Sequence, residues 1–246
     1  GVSGSALITV TVTDSGVDGV FDDPLTPINE RADNRMVTRS FIVSTAPIVT
    51  SPTGTISDTT PLLEWTPIDG SPAYEMRLLN VTENTFITLG TGQTASPFFQ
   101  VTTSLPLGEY RFEVRAINAL GVPGLWSHPA SFTVAAPITV VTPSSDRLPD
   151  STPTFSWMAV SGADSYSLEI FNDLTGESVY IVEDLTVTQH TVPAGSDLPL
   201  GRYRYVITAT NTPSASSSGA AVSVTAQGIF TVSTPPEIHL PFVAIY

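Results

Sequence analysis

The side chains best suited to chemistry form an acidic cluster near the start of the chain. Asp14, Asp18, Asp22 and Asp23 fall between two segments in which apolar and polar residues alternate. Carboxylate oxygens at close spacing are ligands that Ca²⁺ prefers, and a bound cation would relieve the repulsion within such a loop. The spacing matches no EF-hand loop. Two interpretations therefore stay open, a calcium site and a solvated acidic loop.

Signatures of catalysis are missing from the sequence. The three histidines, His128, His190 and His239, are isolated, and the chain has no nucleophile elbow and no Walker loop. Residues 90–95 (Gly-Thr-Gly-Gln-Thr-Ala) formally match a dinucleotide-binding fingerprint, but no helical pattern follows them. A glycine-rich hairpin turn is favoured there. The sequence predicts that the chain is not an enzyme and needs no cofactor, with calcium as the one candidate ion.

Other positions suggest surface chemistry, each beside a structural alternative. Asn80 opens an Asn-Val-Thr sequon, which is either a glycosylation site or a chance triplet. Trp126 is expected to pack on its own sheet, with sugar stacking as the alternative, and Phe98 and Phe99 are expected in the core. The Ser- and Thr-rich residues 208–226 predict a long mobile loop, with O-glycosylation as the alternative.

Composition excludes several classes of function. The net charge is −14 and the nine basic residues are all Arg, so the clustered cations that nucleic-acid binding requires are missing. Cysteine is absent, which rules out disulfides and thiolate metal sites. No apolar run reaches the length of a membrane helix. The chain starts at Gly1 rather than Met, as expected of a processed or excerpted chain.

The elements that must position these residues are repeated. Four marker residues recur with an offset of 92 residues: Pro61, Trp65, Tyr74 and Asn80 in the first copy, and Pro153, Trp157, Tyr166 and Asn172 in the second. A Leu-Pro-Leu-Gly-x-Tyr motif at residues 105–110 returns at residues 198–203, with an offset of 93. A fixed period of this size predicts tandem copies of one small domain.

Alternating apolar residues predict that the copies are built from β-strands. Tyr110, Phe112 and Val114 would share one face of a strand, and Arg111 and Glu113 the other. The same pattern returns in the second copy and on the strands that carry the tryptophans. With 41% hydrophobic and only 13% charged residues, the chain can build a core in each copy. The predicted fold class is all-β.

The tryptophan strand, the tyrosine strand and the Leu-x-x-Gly-x-Tyr corner resemble a fibronectin type III domain. The resemblance covers roughly residues 46–136 and 137–234. It implies two seven-stranded, immunoglobulin-like β-sandwiches in tandem, of the kind found in bacterial extracellular surface proteins. This fold serves adhesion, spacing and enzyme-accessory roles alike, so it does not choose among them.

Both ends are predicted to be fragments of further sandwiches. Residues 1–45 resemble the last two strands of an immunoglobulin-like or cadherin-like domain, with the second strand expected around Arg39–Ser44. Residues 235–246 form a C-terminal tail with the pattern of an opening strand, whose apolar residues are Ile238, Leu240, Phe242, Val243 and Ile245. Such a strand should seek a sheet edge. Strand donation to another copy is one outcome, and a self-docked tail or a sorting tail are the others.

These observations favour a structural protein of the bacterial cell exterior, a filament or stalk that polymerises head to tail by strand donation. Its expected partners are other copies of itself and glycans, without nucleic acid and without a membrane span. A non-catalytic spacer or carbohydrate-binding accessory module of a larger secreted enzyme or adhesin is the alternative. A binding protein that uses the loops near Trp126 or the acidic cluster is the third hypothesis.

Overall fold

The structure is a computed structural model that describes residues 5–13 and 36–234. Throughout these ranges the chain forms β-strands joined by turns and bends, with no α-helix. It follows that no helix in the described ranges has the length and apolar character to cross a membrane. The all-β prediction is confirmed.

The described N-terminal segment is a two-stranded antiparallel hairpin. Strand β1 (Ser5–Thr13) pairs with β2 (Met36–Ser44) from Ser5 opposite Ser44 to Thr13 opposite Met36. The second strand thus starts three residues before the predicted Arg39. The hydroxyls of Thr11 and Thr38 lie 3.2 Å apart across the pair.

Residues 49–134 fold into a first β-sandwich of two sheets. In chain order its strands are β3 (Val49–Ser51), β4 (Gly54–Ile56), β5 (Leu62–Trp65), β6 (Ala73–Asn80), β7 (Thr85–Ile87), β8 (Gln93–Thr94), β9 (Phe98–Gln100), β10 (Gly108–Ile117) and β11 (Ala130–Val134). One sheet has the order β3-β5-β9. The other has the order β4-β11-β10-β6-β7, and β8 also pairs with β6.

Residues 140–232 repeat this arrangement in a second β-sandwich. Its strands are β12 (Val140–Thr142), β13 (Arg147–Leu148), β14 (Thr154–Trp157), β15 (Ser165–Asn172), β16 (Ser178–Leu185), β17 (Gln189–Thr191), β18 (Gly201–Asn211) and β19 (Val222–Val232). The sheets have the orders β12-β14-β17 and β13-β19-β18-β15-β16. In each sandwich a sheet of three strands faces a sheet of six or five, and all strands are antiparallel except one short edge strand, an arrangement like that of fibronectin type III domains.

Each sandwich encloses its own core, built from the alternating residues that the sequence pattern selects. On β10, Tyr110, Phe112 and Val114 are fully buried, and their counterparts on β18 are buried too. Trp65 contacts Tyr74 with ring centroids 5.4 Å apart, and Trp157 and Tyr166 repeat the contact at 5.5 Å. Because burial of each such side chain contributes roughly 1.5–3 kcal/mol, the predicted core is the main source of stability.

Two local predictions are wrong. Phe98 is 48% exposed, because β9 is a short strand whose alternation turns only Phe99 towards the core. Residues 208–226 are not one long loop, since β18 and β19 extend far into them as an antiparallel pair that runs up to Asn211 opposite Val222. Only residues 212–221 connect the strands, and they contact the first sandwich.

A tyrosine corner shapes one end of each sandwich. The hydroxyl of Tyr110 donates to the carbonyl of Pro106 at 2.8 Å, and Tyr203 makes the same bond to Pro199 at 2.8 Å. Burial raises the pKa of Tyr110, so it remains a neutral donor. The bond fixes the Leu-Pro-Leu-Gly turn that precedes each long strand, and in the first sandwich this turn faces the second sandwich.

Candidate functional site at the joint between the sandwiches

The joint begins with a short linker that is anchored on both sides. The amide of Ala135 donates to the carbonyl of Ile56 at 2.8 Å, directly after β11. Ile138 is already part of the second core, with 7% of its surface exposed. The amide of Met158 then donates to the carbonyl of Thr139 at 2.8 Å. Only Ala136 and Pro137 lie between these contacts. The linker therefore allows little motion of one sandwich relative to the other.

Leu107 lies at the centre of the joint, on the turn that the tyrosine corner holds. Its amide donates to the carbonyl of Ser161 at 2.7 Å, and its carbonyl accepts from Nδ2 of Asn211 at 2.6 Å. Both partners belong to the second sandwich, and Leu107 is only 2% exposed. The second sandwich therefore binds both backbone polar groups of Leu107, as a neighbouring strand would.

Gly162 permits the close approach of the two sandwiches. A Cβ atom at this position would lie 2.6 Å from Cβ of Pro106 and 3.0 Å from the amide nitrogen of Leu107. Its φ of +84° is in addition a conformation that residues with a side chain rarely adopt. Glycine is required here for both reasons.

The connection 212–221 between β18 and β19 is the second contact across the joint. The amide of Ser214 donates to the carbonyl of Thr82 at 2.9 Å, and the hydroxyl of Ser217 donates to the carbonyl of Val81. At Gly219 a Cβ atom would lie 3.2 Å from Cγ1 of Val81. This Ser-rich segment therefore docks on the first sandwich instead of extending into solvent.

Polar side chains at the joint are fully buried. Thr82 and Asn211 have no exposed surface. The hydroxyl of Thr82 accepts from the amide of Glu109 at 2.9 Å, but within the described residues Oδ1 of Asn211 has no hydrogen-bond partner. Burying polar groups costs free energy unless they form hydrogen bonds. The stability of the joint therefore depends on these hydrogen bonds.

Asn80, the predicted glycosylation site, is the last residue of β6 and lies two residues before Thr82 of the joint. It is only 2% exposed, its Oδ1 accepts from the amide of Glu83 at 3.0 Å, and its Nδ2 lies 3.4 Å from the hydroxyl of Tyr110. A glycan needs this amide nitrogen in solvent. The folded domain has no room for one, so the glycosylation hypothesis does not fit the structure.

Trp126 packs on the outer face of its own sheet, as predicted. The guanidinium groups of Arg77 and Arg115 lie 4.3 and 4.5 Å from the centre of its ring. Both arginines are also paired with carboxylates, Arg77 with Glu113 at 2.8 Å and Arg115 with Glu75 at 2.7 Å. The hydrogen bond that Arg77 donates to Glu113 raises the pKa of Arg77. The arrangement braces the sheet through cation–π contacts.

The remaining predicted sites divide between those that the structure describes and those that it does not. Residues 90–92 form a turn between β7 and β8 in which Gly90 and Gly92 have positive φ. The predicted turn is present, but it closes no hairpin, because β7 and β8 both pair with β6. Outside the described residues lie both the acidic cluster (Asp14, Asp18, Asp22 and Asp23) and the polymer segment (Ile238, Leu240, Phe242, Val243 and Ile245). In residues 5–13 and 36–234 no group of three His, Asp or Glu side chains could hold a metal ion.

Comparisons with known proteins find matches among solved structures. No family model matches the chain, and no curated protein matches it either. Among solved structures, a two fibronectin type III domain segment from chicken tenascin is 18% identical with a TM-score of 0.48, covering 76% of this chain and 100% of that one. The chicken CNTN1 FN1-FN3 domains are 16% identical with a TM-score of 0.26, covering 81% of this chain and 71% of that one.

Proposed function

We propose that this chain is a structural spacer of an extracellular stalk or filament on the bacterial cell surface. In this role the joint holds successive sandwiches at a fixed angle. One observation supports the proposal above all: Ser161 and Asn211 of the second sandwich form hydrogen bonds with both backbone polar groups of Leu107. A flexible string of domains has no need of such a contact.

The second contact supports the same role. Residues 212–221 add hydrogen bonds from Ser214 and Ser217 to the first sandwich at a distance from the linker. Two separated contacts and a short linker resist bending and twisting better than a linker alone. The composition fits an exposed location, because a net charge of −14 keeps such a surface soluble.

Orientation of the two sandwiches in solution tests the spacer role. We expect residual dipolar couplings of the full chain to fit one alignment tensor for residues 49–134 and 140–232 together. Small-angle scattering should then give one fixed interdomain angle. Two independent tensors would mean that the sandwiches move freely, and the proposal of a rigid spacer would be wrong.

The filament form of this proposal adds strand donation by residues 237–246. Ile238, Leu240 and Phe242 alternate as an inserted strand requires, and backbone pairing would supply the affinity. Deletion of residues 236–246 should abolish filaments, observed by electron microscopy, and leave both sandwiches folded. Filaments that persist after the deletion would contradict strand donation without affecting the spacer role.

A further inference from the structure

The second sandwich displays an exposed copy of the surface that the first sandwich buries in the joint. Leu200 occupies the same motif position as Leu107, yet it is 66% exposed where Leu107 is 2% exposed. Leu174 stands at the position of Thr82 and is 92% exposed, whereas Thr82 is fully buried. We call Leu174 and Leu200 the C-terminal pole.

The first sandwich displays the matching surface at its opposite end. Asp69, Gly70 and Asn118 correspond in the repeat to Ser161, Gly162 and Asn211, and we call them the N-terminal pole. They share one end of the sandwich, because Ala73 pairs with Ile117 there.

Gly70 has the backbone conformation of Gly162 but an open surface. Its φ is +75°, and a Cβ atom on it would meet nothing within 4 Å. At Gly162 the corresponding space is filled by Pro106 and Leu107. Gly70 itself is exposed.

The polar groups needed for the joint are also present. Oδ1 of Asn118 accepts from the amides of Leu120 and Val122 at 2.9 and 3.0 Å, and in the described part of the chain nothing accepts from its Nδ2. This is the atom type through which Asn211 donates to Leu107. A backbone carbonyl at Asp69 is the counterpart of the Ser161 acceptor.

We propose that the C-terminal pole of one copy docks on the N-terminal pole of a second copy and repeats the joint between molecules. The amide of Leu200 donates to the carbonyl of Asp69, and Nδ2 of Asn118 donates to the carbonyl of Leu200. The proposal rests on the structural role proposed above. It assigns head-to-tail association to residues that the structure describes, independently of the C-terminal tail.

One substitution in the repeat makes the intermolecular contact more apolar than the internal joint. Within the chain, Ser214 binds the carbonyl of Thr82. At the two poles Leu174 takes the position of Thr82, while Gly121 takes that of Ser214, directly after Leu120, which is 83% exposed. Docking places these two leucines against each other and removes both from water.

The contact is heterologous, since two different surfaces meet, and it leaves one free pole at each end of any assembly. Such contacts generate open chains unless the rotation closes a ring. A footprint of a few side chains is well below the roughly 800 Å² per partner of a standard interface, so the association is weak and depends on concentration. It also needs salt, because each copy carries a charge of −14.

Sedimentation velocity of the full chain at physiological salt, from about 1 µM to 1 mM, tests the proposal. We expect the average mass to rise with concentration. Leu200→Asp removes the C-terminal pole and Gly70→Asn blocks the N-terminal pole, because Asn tolerates positive φ and still carries a Cβ. Each variant alone should stay monomeric. An equimolar mixture should form a dimer and nothing larger, since each variant retains one intact pole.

Matched controls separate docking from general effects. Phe86→Asp changes an apolar residue of similar exposure, 67%, which pairs with Leu79 at the end of β6 opposite to Ala73. Gly92→Asn changes a glycine of equal φ, +76°, in an open turn. Both controls should associate like the original chain. A chain that is monomeric at 1 mM, or a mixture of the two pole variants that forms no dimer, overturns the proposal. The alignment-tensor measurement on the monomeric variants still tests the spacer role by itself.

Discussion

Gly162 carries the tightest steric demand at the joint, and alanine at this position should uncouple the sandwiches. The added Cβ meets Pro106 at 2.6 Å, which can be relieved only if the two sandwiches separate. Positive φ costs an alanine about 1–2 kcal/mol before any clash. We expect Gly162→Ala to lower the denaturant midpoint of the second sandwich and to give each sandwich its own alignment tensor.

Gly176 supplies the control for that substitution. Its φ is +74°, but a Cβ atom there would have no heavy atom within 4 Å. Gly176→Ala should therefore show the backbone strain alone, with one shared alignment tensor. If the two variants lose equal stability and keep one tensor, the close approach of Gly162 to Pro106 has no energetic role.

His190 makes the second sandwich sensitive to acid. Its Nε2 lies 2.6 Å from the hydroxyl of Tyr180, and this contact links β17 of one sheet to β16 of the other. Burial lowers the pKa of His190 below its ordinary value near 6.5, so folding favours the neutral imidazole. The stabilisation is complete above the unfolded pKa and is lost as pH falls through the lower folded pKa.

We expect the denaturant midpoint of the second sandwich to fall between pH 7.5 and pH 5, about one unit or more on either side of the ordinary value. His190→Gln removes the titrating group and keeps a polar side chain, so its midpoint should change less over this range. A midpoint in the original chain that is constant from pH 7.5 to 5 would show that His190 does not titrate with folding.

At the scale of elements, the connection between β18 and β19 should set the rigidity of the joint. Asn211 and Val222 are paired across the hairpin, so an Asn-Gly turn can replace residues 212–221 without a change of register. The replacement removes the hydrogen bonds to Thr82 and Val81. We expect the second sandwich to keep its stability and the two sandwiches to show separate alignment tensors.

Ser217→Ala tests the same contact with a smaller change to the chain. It keeps the length of the connection and removes only the hydroxyl that donates to the carbonyl of Val81. The carbonyl of Val81 still accepts from the amide of Asn84 at 3.3 Å, so the change removes one hydrogen bond across the joint, worth about 0.5–1.5 kcal/mol. The coupling should therefore weaken without disappearing. If the Asn-Gly replacement leaves one shared tensor, the Leu107 contact alone fixes the angle between the sandwiches.

The strands and cores were predictable because alternation leaves a direct trace in the sequence. Tyr110, Phe112 and Val114 differ from Arg111 and Glu113 in type, and the pleat of a strand converts that difference into burial. The Ser- and Thr-rich residues near 208–226 gave no such trace. Their small polar side chains suit either a loop or an exposed strand, and the length of β18 and β19 is set by their pairing with each other.

The joint was not predictable for a different physical reason. Leu107 and Leu200 lie in the same Leu-Pro-Leu-Gly motif, so local sequence treats them alike. Their exposure differs because the second sandwich covers Leu107. The duplicated motif was visible in the sequence. It would have identified Leu107 and Leu200 as residues that contact a neighbouring domain. Which copy is occupied depends on tertiary contacts.

For the whole molecule, the separate cores and the shared joint imply two unfolding units that stabilise each other. Each core cluster draws on residues of one sandwich only. The joint adds hydrogen bonds that exist only while both sandwiches are folded, such as the bond from Asn211 to Leu107. Loss of one sandwich should therefore weaken its neighbour by the free energy of the joint and no more.

Equivalent core truncations in the two sandwiches test this coupling. Leu78 and Ile170 occupy the same repeat position, and both are fully buried. Substitution of either by alanine should cost about 2–5 kcal/mol in its own sandwich. In differential scanning calorimetry, Ile170→Ala should lower the transition of the second sandwich strongly and that of the first slightly, because the donors to Leu107 and Thr82 are then lost early. Leu78→Ala should give the reverse pattern. Equal displacement of a single transition by both variants would instead mean that residues 49–232 unfold as one cooperative unit.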